Sequence, residues 1–339
     1  MKKLIIFLPL YILYLYFNTY KGENIYSKYI YVDGNNVYVN KINNKLLIKK
    51  KFEYNNYEIA ENGHYTLYYN NDEVIYIKPS IFNKYRHTIS NRIDKYFTND
   101  IKEITKVLIL NEKSNFNKSK YRQLGISHLI SISGLHISIM FMMLSKIKLK
   151  NTIILSILTF YTLVIGHNPP ITRAYLMLGL TLVFKNIDIR KSYLISLVLN
   201  LLINPYQIIS ISFIFTYLSL FAILFLNIKS IILKSLMIQI FLLPINLYFF
   251  KTANLLSFIF NLILIPIYSI FINLIFIIYL IPNKLLIELV NMYYISLKYI
   301  IDYLYYYNIF EIKLNISIIF SLIYYIILIY CIIIFKMLK

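Results

Sequence analysis

The residues best suited to chemistry lie in one unusual run near the middle of the chain. His128, Ser131, Ser133, Gly134 and His136 interrupt a stretch that is otherwise apolar. Imidazoles exchange protons near neutral pH, and hydroxyls both donate and accept hydrogen bonds. Lipid satisfies none of these groups, so in an apolar segment they must face protein, water or a cavity. The run therefore predicts either a polar path or close helix packing through small residues, and both stay open.

Arg173 is the second candidate, because it is the only arginine within an apolar segment. It follows Asn168-Pro169-Pro170, which should end any preceding helix. Arg173 is thus expected in the first turn of the next segment, close to the outer interface. There its side chain either extends to that interface or anchors a phosphate or a partner carboxylate.

Two later apolar runs carry amides and prolines. Gln239 and Asn261 are candidate path residues, and Asn254 is expected on the same helix face as Asn261, seven residues away. Pro244 and Pro266 interrupt these runs and favour broken helices around a cavity. Amides that only pack helices together would give the same pattern.

The elements that position these residues are set by composition. The chain has 339 residues, of which 59% are hydrophobic and 15% charged, so a soluble domain could not bury its apolar surface. A membrane span needs about 20 residues. Several segments are shorter, which favours tilted, re-entrant or broken helices. The predicted apolar segments are residues 127–145, 151–166, 171–184, 192–204, 207–226, 231–250, 255–281, 285–307 and 314–335.

Charge predicts the orientation of these segments. If they alternate, one side holds most of the lysines and arginines after Gln123, and the opposite side holds only Lys251 and Lys313. Basic loops stay in the cytoplasm. Residues 1–20, in which Lys2 and Lys3 precede an apolar stretch, are predicted to be an uncleaved signal anchor with its N-terminus inside. We therefore expect a multi-pass protein of a bacterial cytoplasmic membrane.

Residues 21–106 are polar and predict a soluble β-rich domain on the outer side. Short β-prone runs alternate with Asn/Gly/Asp turn signals, and residues 90–103 predict one helix. Lys49-Lys50-Lys51 and Arg86 are candidate contacts for a polyanion, although a solvated surface is the better explanation for them. The β-prone runs are residues 29–32, 37–39, 46–48, 65–69 and 74–77.

Several motifs resemble those of one known family. Residues 125–137, GISHLISISGLHI, resemble the signature G-L-x-H-L-L-A-I-S-G-L-H-V of the ComEC-type competence proteins. Residues 109–114 resemble a G-D-K/R-S-like element of that family, with Asn111 in place of its usual glycine. Residues 170–174 resemble its P-x-x-R-A element.

The remaining motifs follow in the family's order. Residues 204–205 and 212–217 resemble its N-P and S-F-x-L-S-F elements, and Gln239, Pro244 and residues 261–266 resemble its closing Q…P…N-x-x-x-x-P pattern. The resemblance spans roughly residue 108 to the end of the chain.

The resemblance implies a channel that carries single-stranded DNA across the cytoplasmic membrane in natural transformation. It implies that the β-rich region at 21–106 is like the family's extracellular oligonucleotide-binding-type domain. Together with the apolar segments, this divides the chain into the anchor at 1–20, that domain, and a channel domain at 107–339 with about nine or ten transmembrane or partly inserted helices. It also implies a cytoplasmic helicase-like motor and an extracellular DNA receptor as partners, beside membrane lipid. Pairing between copies of the chain stays open.

The chain also departs from the family. Many members end in a metallo-β-lactamase-like domain, but no H-x-H-x-D-H motif occurs here, so we expect a minimal form with no enzymatic activity and no cofactor. No G-x-x-x-x-G-K-S/T loop occurs either, so the motor must be a partner.

Two alternatives to the channel remain. One is a small-solute transporter or membrane enzyme that uses the two histidines. These are about 80° apart on an ideal helix, which is poor for binding one metal ion together. The other alternative is an inactive scaffold of the same family.

Overall fold

The computed structural model describes most of the chain after residue 25. The predicted anchor, residues 46–48, Lys49-Lys50-Lys51 and His167 lie outside the described residues. Those described are 26–33, 36–37, 63–70, 73–79, 81–97, 99–112, 119–166, 168–184, 186–203, 208, 210–226, 228–307 and 310–337.

A four-stranded antiparallel sheet precedes the helices. Its strands are β1 (Tyr26–Asp33), β2 (Asn36–Val37), β3 (Gly63–Asn70) and β4 (Glu73–Pro79), in the order β2-β1-β3-β4. Lys28 of β1 lies opposite Leu67 of β3, and the β3–β4 pairing shifts register after Tyr68. Three of the five β-prone runs lie in these strands, and a fourth, residues 37–39, is described only at Val37, which lies in β2. A separate β-rich domain of oligonucleotide-binding type stays a prediction.

Helices make up most of the remaining described chain, as the sequence predicted. Twelve α-helices are described: α1 (Ile81–Tyr96), α2 (Asn99–Leu110), α3 (Ser119–Gln123), α4 (Gly134–Lys146), α5 (Asn151–Ile165), α6 (Pro169–Val183), α7 (Ile189–Ile203), α8 (Ile211–Phe225), α9 (Ile231–Phe250), α10 (Ser257–Leu280), α11 (Lys284–Tyr306) and α12 (Ile318–Met337). Between α9 and α10 lies β5 (Thr252–Asn254), and between α11 and α12 lies β6 (Glu311–Lys313).

Two expected helices are broken where the sequence predicted continuity. Residues 90–103 span the end of α1 and the start of α2, and the buried Phe97 lies at the corner between them. Residues 127–145 begin with a 3-10 turn, Ser127–Ile130, and continue into an extended stretch before α4 starts at Gly134. The estimate of about 80° between His128 and His136 assumed that both lie on one continuous helix. It is wrong, because α4 begins between the two histidines, with Ser133 as its N-cap.

The two prolines behave in the opposite way, since neither breaks its helix. Pro244 lies inside α9 and Pro266 inside α10. A proline at 244 leaves the carbonyl of Ile240 without its usual amide partner. The hydroxyl of Tyr324 in α12 donates to that oxygen at 3.1 Å, so a neighbouring helix satisfies the group that the proline frees.

Asn254 does not share a helix face with Asn261, contrary to the prediction. It lies in β5, which pairs with β6 so that Asn254 is opposite Glu311. The side-chain oxygen of Asn254 accepts from the amide of Leu256 at 2.8 Å, which turns the chain into α10. The loops after α9 and after α11 thus meet in one small sheet.

The helices surround one large apolar core, and their outer surfaces are apolar as well. The core extends from Ile93 in α1 to Ile301 in α11 and includes Tyr268 and Phe271 of α10. Of the described helices, α9 and α10 are long and apolar enough to cross a membrane. The helices α4 to α8 have 13 to 15 residues, or about 20 to 22 Å each, which is shorter than a bilayer core of about 30 Å.

Candidate functional site

The candidate site is built on the N-terminus of α4. Ser133 caps this helix, because its hydroxyl accepts from the amide of Leu135 at 3.3 Å. The Nδ1 atom of His136 accepts from the amide of Ser133 at 3.2 Å, which closes a reciprocal capping box. His136 is only 1% exposed, and its Nε2 atom has no hydrogen-bond partner. A neutral ring bonded in this way carries its proton on Nε2, so the site holds one unused buried donor.

The guanidinium of Arg173 packs against Gly134, the first residue of α4. A Cβ atom on Gly134 would lie 2.8 Å from Nη2 of Arg173 and 3.1 Å from Cβ of Ala174. Only glycine leaves room for such an approach between α4 and α6. The predicted run and the predicted arginine, 39 positions apart in the chain, therefore meet at one point.

Arg173 is held from its other side by α8. Its Nη1 atom donates to the carbonyl of Thr216 at 2.8 Å. Prolines occupy the first two positions of α6, so the helix begins at Pro169, two residues earlier than predicted. Arg173 consequently lies in the second turn of α6 and points to a neighbouring helix.

A buried network fixes the part of α8 that holds Arg173. The hydroxyl of Tyr193 donates to the carbonyl of Tyr217 at 3.1 Å. The hydroxyl of Tyr217 donates to the carbonyl of Ser196 at 3.0 Å and accepts from the amide of Asn200 at 3.3 Å. These bonds lock α7 to α8 directly beside Thr216, and so they position the carbonyl that Arg173 uses.

The electrostatics of this site are unbalanced. The Nε atom of Arg173 is buried and has no hydrogen-bond partner. Among the described residues no carboxylate forms an ion pair with Arg173, and the titratable groups that act on it are the hydroxyls of Tyr217 and Tyr193. The N-terminus of α4 adds about half a positive charge rather than a compensating negative one. The arrangement thus concentrates positive potential and is suited to hold an anion.

A second group of residues joins the start of the signature run to β5 and α10. Gly125 has a φ of +72°, and a Cβ there would lie 2.6 Å from Cβ of Ser257. The Nδ2 atom of Asn254 donates to the carbonyl of Gln123 at 3.1 Å. The amide of Gln239 donates to the carbonyls of Asn254 and Leu255, each at 2.9 Å.

Gln239 therefore holds this turn, because its oxygen also accepts from the amide of Phe258 at 3.0 Å. Its assignment to a DNA path stays a prediction. Asn261 lies one turn into α10, and its Oδ1 atom is buried without a hydrogen bond. His128 is exposed on the 3-10 turn, and Ser131 donates to the carbonyl of His128 at 3.1 Å.

Arg86 lies far from solvent, so its interpretation as a contact for a polyanion is wrong. It is 2% exposed and donates to the carbonyls of Val164 and Ile165 at the end of α5, each at 3.4 Å. It also donates to the carbonyl of Leu110 at the end of α2 and lies 4.0 Å from the carboxylate of Glu112. Arg86 thus caps two helix C-termini, where a positive charge is favoured.

Asn111 shows why the family-like motif tolerates its replacement of glycine. Its φ is +56°, in the left-handed region that follows the end of α2. Asparagine is the residue that most readily takes the place of glycine there. The amide of Asn111 bonds to the carbonyl of Val107, and the amide of Glu112 to that of Lys106, which completes the helix cap.

One comparison with known proteins identifies the chain. A family model described as Competence protein matches residues 108–338. The chain belongs to the competence protein family. The resemblance to ComEC-type proteins is thereby confirmed, and with the two long apolar helices it supports a membrane protein with a role in competence. No curated protein and no solved structure shows a significant match.

Some residues that build the candidate site of this competence protein were not singled out from the sequence, although Thr216 lies within the family-like element at 212–217. Thr216 contributes only a backbone carbonyl, and Tyr193 and Asn200 act through buried bonds between helices. The ion pair between Lys120 and Asp302, 2.7 Å apart, was not predicted either, because the two residues are far apart in the chain. Long-range partners of this kind leave no periodic pattern.

Proposed function

We propose that this competence protein is a channel for single-stranded DNA in the cytoplasmic membrane. The single observation that carries the proposal is the unbalanced charge at Arg173. A cation held among apolar helices without a carboxylate partner costs several kcal/mol. A phosphodiester anion that contacts Arg173 would offset this cost, and a DNA strand presents one at every nucleotide.

The site offers distinct roles to its residues. Arg173 contacts a phosphate through the edge of its guanidinium that Thr216 leaves free, and the Nε2–H of His136 is a further buried donor near the start of α4. Gly134 has no side chain, so it leaves room for the guanidinium of Arg173 at the start of α4. Ser133 and the bonds around Tyr217 position these groups and do not themselves bind DNA.

The alternating path of the helices supports this location on the outer side. Alternation assigns the loops after α9 and α11 to the same side, and these loops pair through β5 and β6. It assigns the start of α10 to that side too, and Gly125 packs there against Ser257. Basic loops then face the cytoplasm, and the strands before α1 face outward, where they receive the incoming strand.

The energy for import comes from partners in this proposal. A cytoplasmic helicase-like motor pulls the strand, and an extracellular receptor delivers it. The competence protein itself supplies a protein-walled passage that keeps the polyanion away from lipid, and it has no enzymatic step.

The test is genetic and uses a matched arginine. The gene is deleted in its host, and entry of labelled DNA into the cytosol is scored after complementation with wild type, Arg173→Gln or Arg190→Gln. Arg190 is the control because it also donates to a carbonyl of α8, that of Leu224 at 3.1 Å, but is exposed.

We expect wild type and Arg190→Gln to restore import, and Arg173→Gln to fail at equal membrane levels. Full import with Arg173→Gln would refute the role of Arg173. Unchanged import in the deletion strain would refute the function itself.

A further inference from the structure

The helix α11 carries two distinct faces. Its buried face consists of Val290, Tyr294, Leu297 and Ile301, at the spacing that one side of a helix requires. The opposite face forms an exposed apolar stripe. This stripe is made of Leu285, Leu289, Met292, Ile295, Tyr299, Tyr303, Tyr306 and Tyr307.

The chemistry of the stripe changes along the helix. Its first half is aliphatic, with Met292 67% exposed, and its second half is tyrosine, with Tyr306 78% exposed. The rings of Tyr303 and Tyr307 are 4.7 Å apart, and those of Tyr306 and Tyr307 are 5.0 Å apart. Tyrosines of this kind collect at the level of lipid headgroups, where the ring lies in an apolar layer and the hydroxyl meets water.

The charges of α11 follow the same order. Lys284 and Glu288 lie in its first two turns, Lys298 and Asp302 lie toward its end, and the nine residues from 289 to 297 carry no charge. Lys120 lies beside the tyrosine end, 2.7 Å from Asp302 and 5.6 Å from the ring centre of Tyr305. Charges at both ends of an uncharged middle suit a helix that crosses a bilayer, although α11 carries more charge than α9 and α10, the two described helices that are apolar enough to cross by composition alone.

We propose that the stripe on α11 contacts phospholipid directly, with Tyr299, Tyr303, Tyr306 and Tyr307 at one bilayer interface. The proposal rests on the membrane location in the proposed function but not on DNA import. The distance along the helix fits: 18 residues from Leu285 to Tyr303 rise about 27 Å, close to the bilayer core of about 30 Å. Met292, 11 residues before Tyr303, then lies near the bilayer centre.

Two other occupants fit the stripe less well. A DNA strand would meet the carboxylate of Asp302, and Lys120, which lies beside the tyrosines, is already paired with that carboxylate. A second copy of the chain would cover a limited patch, but exposed aliphatic side chains also occur on other helices. They are Ile263, Ile270 and Ile277 of α10, which packs on α11, and Ile319, Leu322, Ile323, Ile326 and Ile327 of α12.

The absence of tryptophan from the chain allows a depth measurement. The full-length variants Met292→Trp, Tyr303→Trp and Tyr306→Trp each carry one tryptophan on the stripe, and Tyr294→Trp carries one on the buried face as a reference. Each is placed in vesicles of phosphatidylcholine and phosphatidylglycerol that carry bromine either deep in the acyl chains or near the headgroups. Bromine quenches tryptophan fluorescence on contact.

We expect the deep label to quench position 292 more than the shallow label does, and the reverse at 303 and 306. Position 294 should be protected from both, and if that variant does not fold, the three stripe positions decide the question alone. Weak quenching of the stripe by both labels would overturn the proposal. Protection that grows with the protein-to-lipid ratio would favour a second copy instead, and quenching by a short DNA strand would favour DNA.

Discussion

Among the described residues, the buried Arg86 and the half-buried Arg173 lie in surroundings of opposite electrostatic potential. Arg86 lies at the ends of α2 and α5, where three carbonyls and the carboxylate of Glu112 surround it. Arg173 of α6 lies against the start of α4, bonds to the one carbonyl of Thr216, and has no carboxylate beside it among the described residues. Helix C-termini attract a cation and N-termini repel it. Arg86 therefore stabilises the fold, whereas Arg173 retains the capacity to bind an anion.

The largest expected effect is on stability, at Arg86. The substitution Arg86→Met should lower the free energy of unfolding by about 3 to 5 kcal/mol, because it leaves Glu112 and two helix ends without their cation. Arg173→Met should change stability little or raise it, since it removes an unbalanced charge. Both are measured by unfolding the purified full-length protein in detergent. Equal destabilisation by the two substitutions would remove the distinction between the arginines.

A smaller effect is expected from Gly134→Ala, which changes the contact of Arg173 but not its charge. The added Cβ would lie 2.8 Å from Nη2 and force the guanidinium away from α4, at a cost of about 1 to 3 kcal/mol. Gly179→Ala is the control, because its Cβ would meet only Leu155 at an ordinary 3.8 Å. The Gly179→Ala variant should be more stable than wild type by up to about 1 kcal/mol, because alanine favours a helix more than glycine does.

DNA import should fall for Gly134→Ala and stay normal for Gly179→Ala. Import by Gly134→Ala at the wild-type rate would show that the position of the Arg173 guanidinium does not matter.

A still smaller effect on stability is expected at Asn111, which follows the helix end that Arg86 caps. Its left-handed backbone follows the carbonyl of Leu110 that Arg86 holds. Asn111→Ala should lower the free energy of unfolding by about 1 kcal/mol, and Asn111→Gly should not, because only alanine is strained there. Denaturant unfolding of both variants measures this. Equal loss in both would mean that the asparagine side chain, rather than its backbone, matters.

The smallest effect concerns an exposed charge on the same helix as Arg86. Asp94 lies 2.8 Å from both Lys102 and Lys106 of α2. Partial burial opposes its ionisation, but the two lysines outweigh this and hold the pKa of its carboxyl below its usual value. The stability from these pairs is therefore complete above the ordinary pKa of Asp and is lost as pH falls through the lowered one.

Because these groups are partly solvated, the loss should be less than about 1 kcal/mol. Asp94→Asn should remove this part of the acid dependence, measured by unfolding at a series of pH values. An unchanged acid dependence would show that the pairs contribute nothing.

The sequence alone predicts a helical membrane protein and its family, because apolar runs and the motifs that contain Gly125, Gly134 and Arg173 are local patterns. It does not predict that Gly134 and Arg173 touch, or that Tyr324 satisfies the carbonyl that Pro244 frees. It misplaces Arg86 as a surface cation. The sequence does not distinguish an arginine that caps a helix end from one that lies in solvent. Only the fold shows whether the groups around the arginine are negative or positive.

The most direct measurement of the central claim is the salt dependence of single-stranded DNA binding by the full-length protein in lipid nanodiscs. The plot of log affinity against log salt should be shallower for Arg173→Gln than for wild type, by about 0.7 for the one lost phosphate contact. Arg190→Gln should keep the wild-type slope. Identical affinity and slope for Arg173→Gln and wild type would contradict the account.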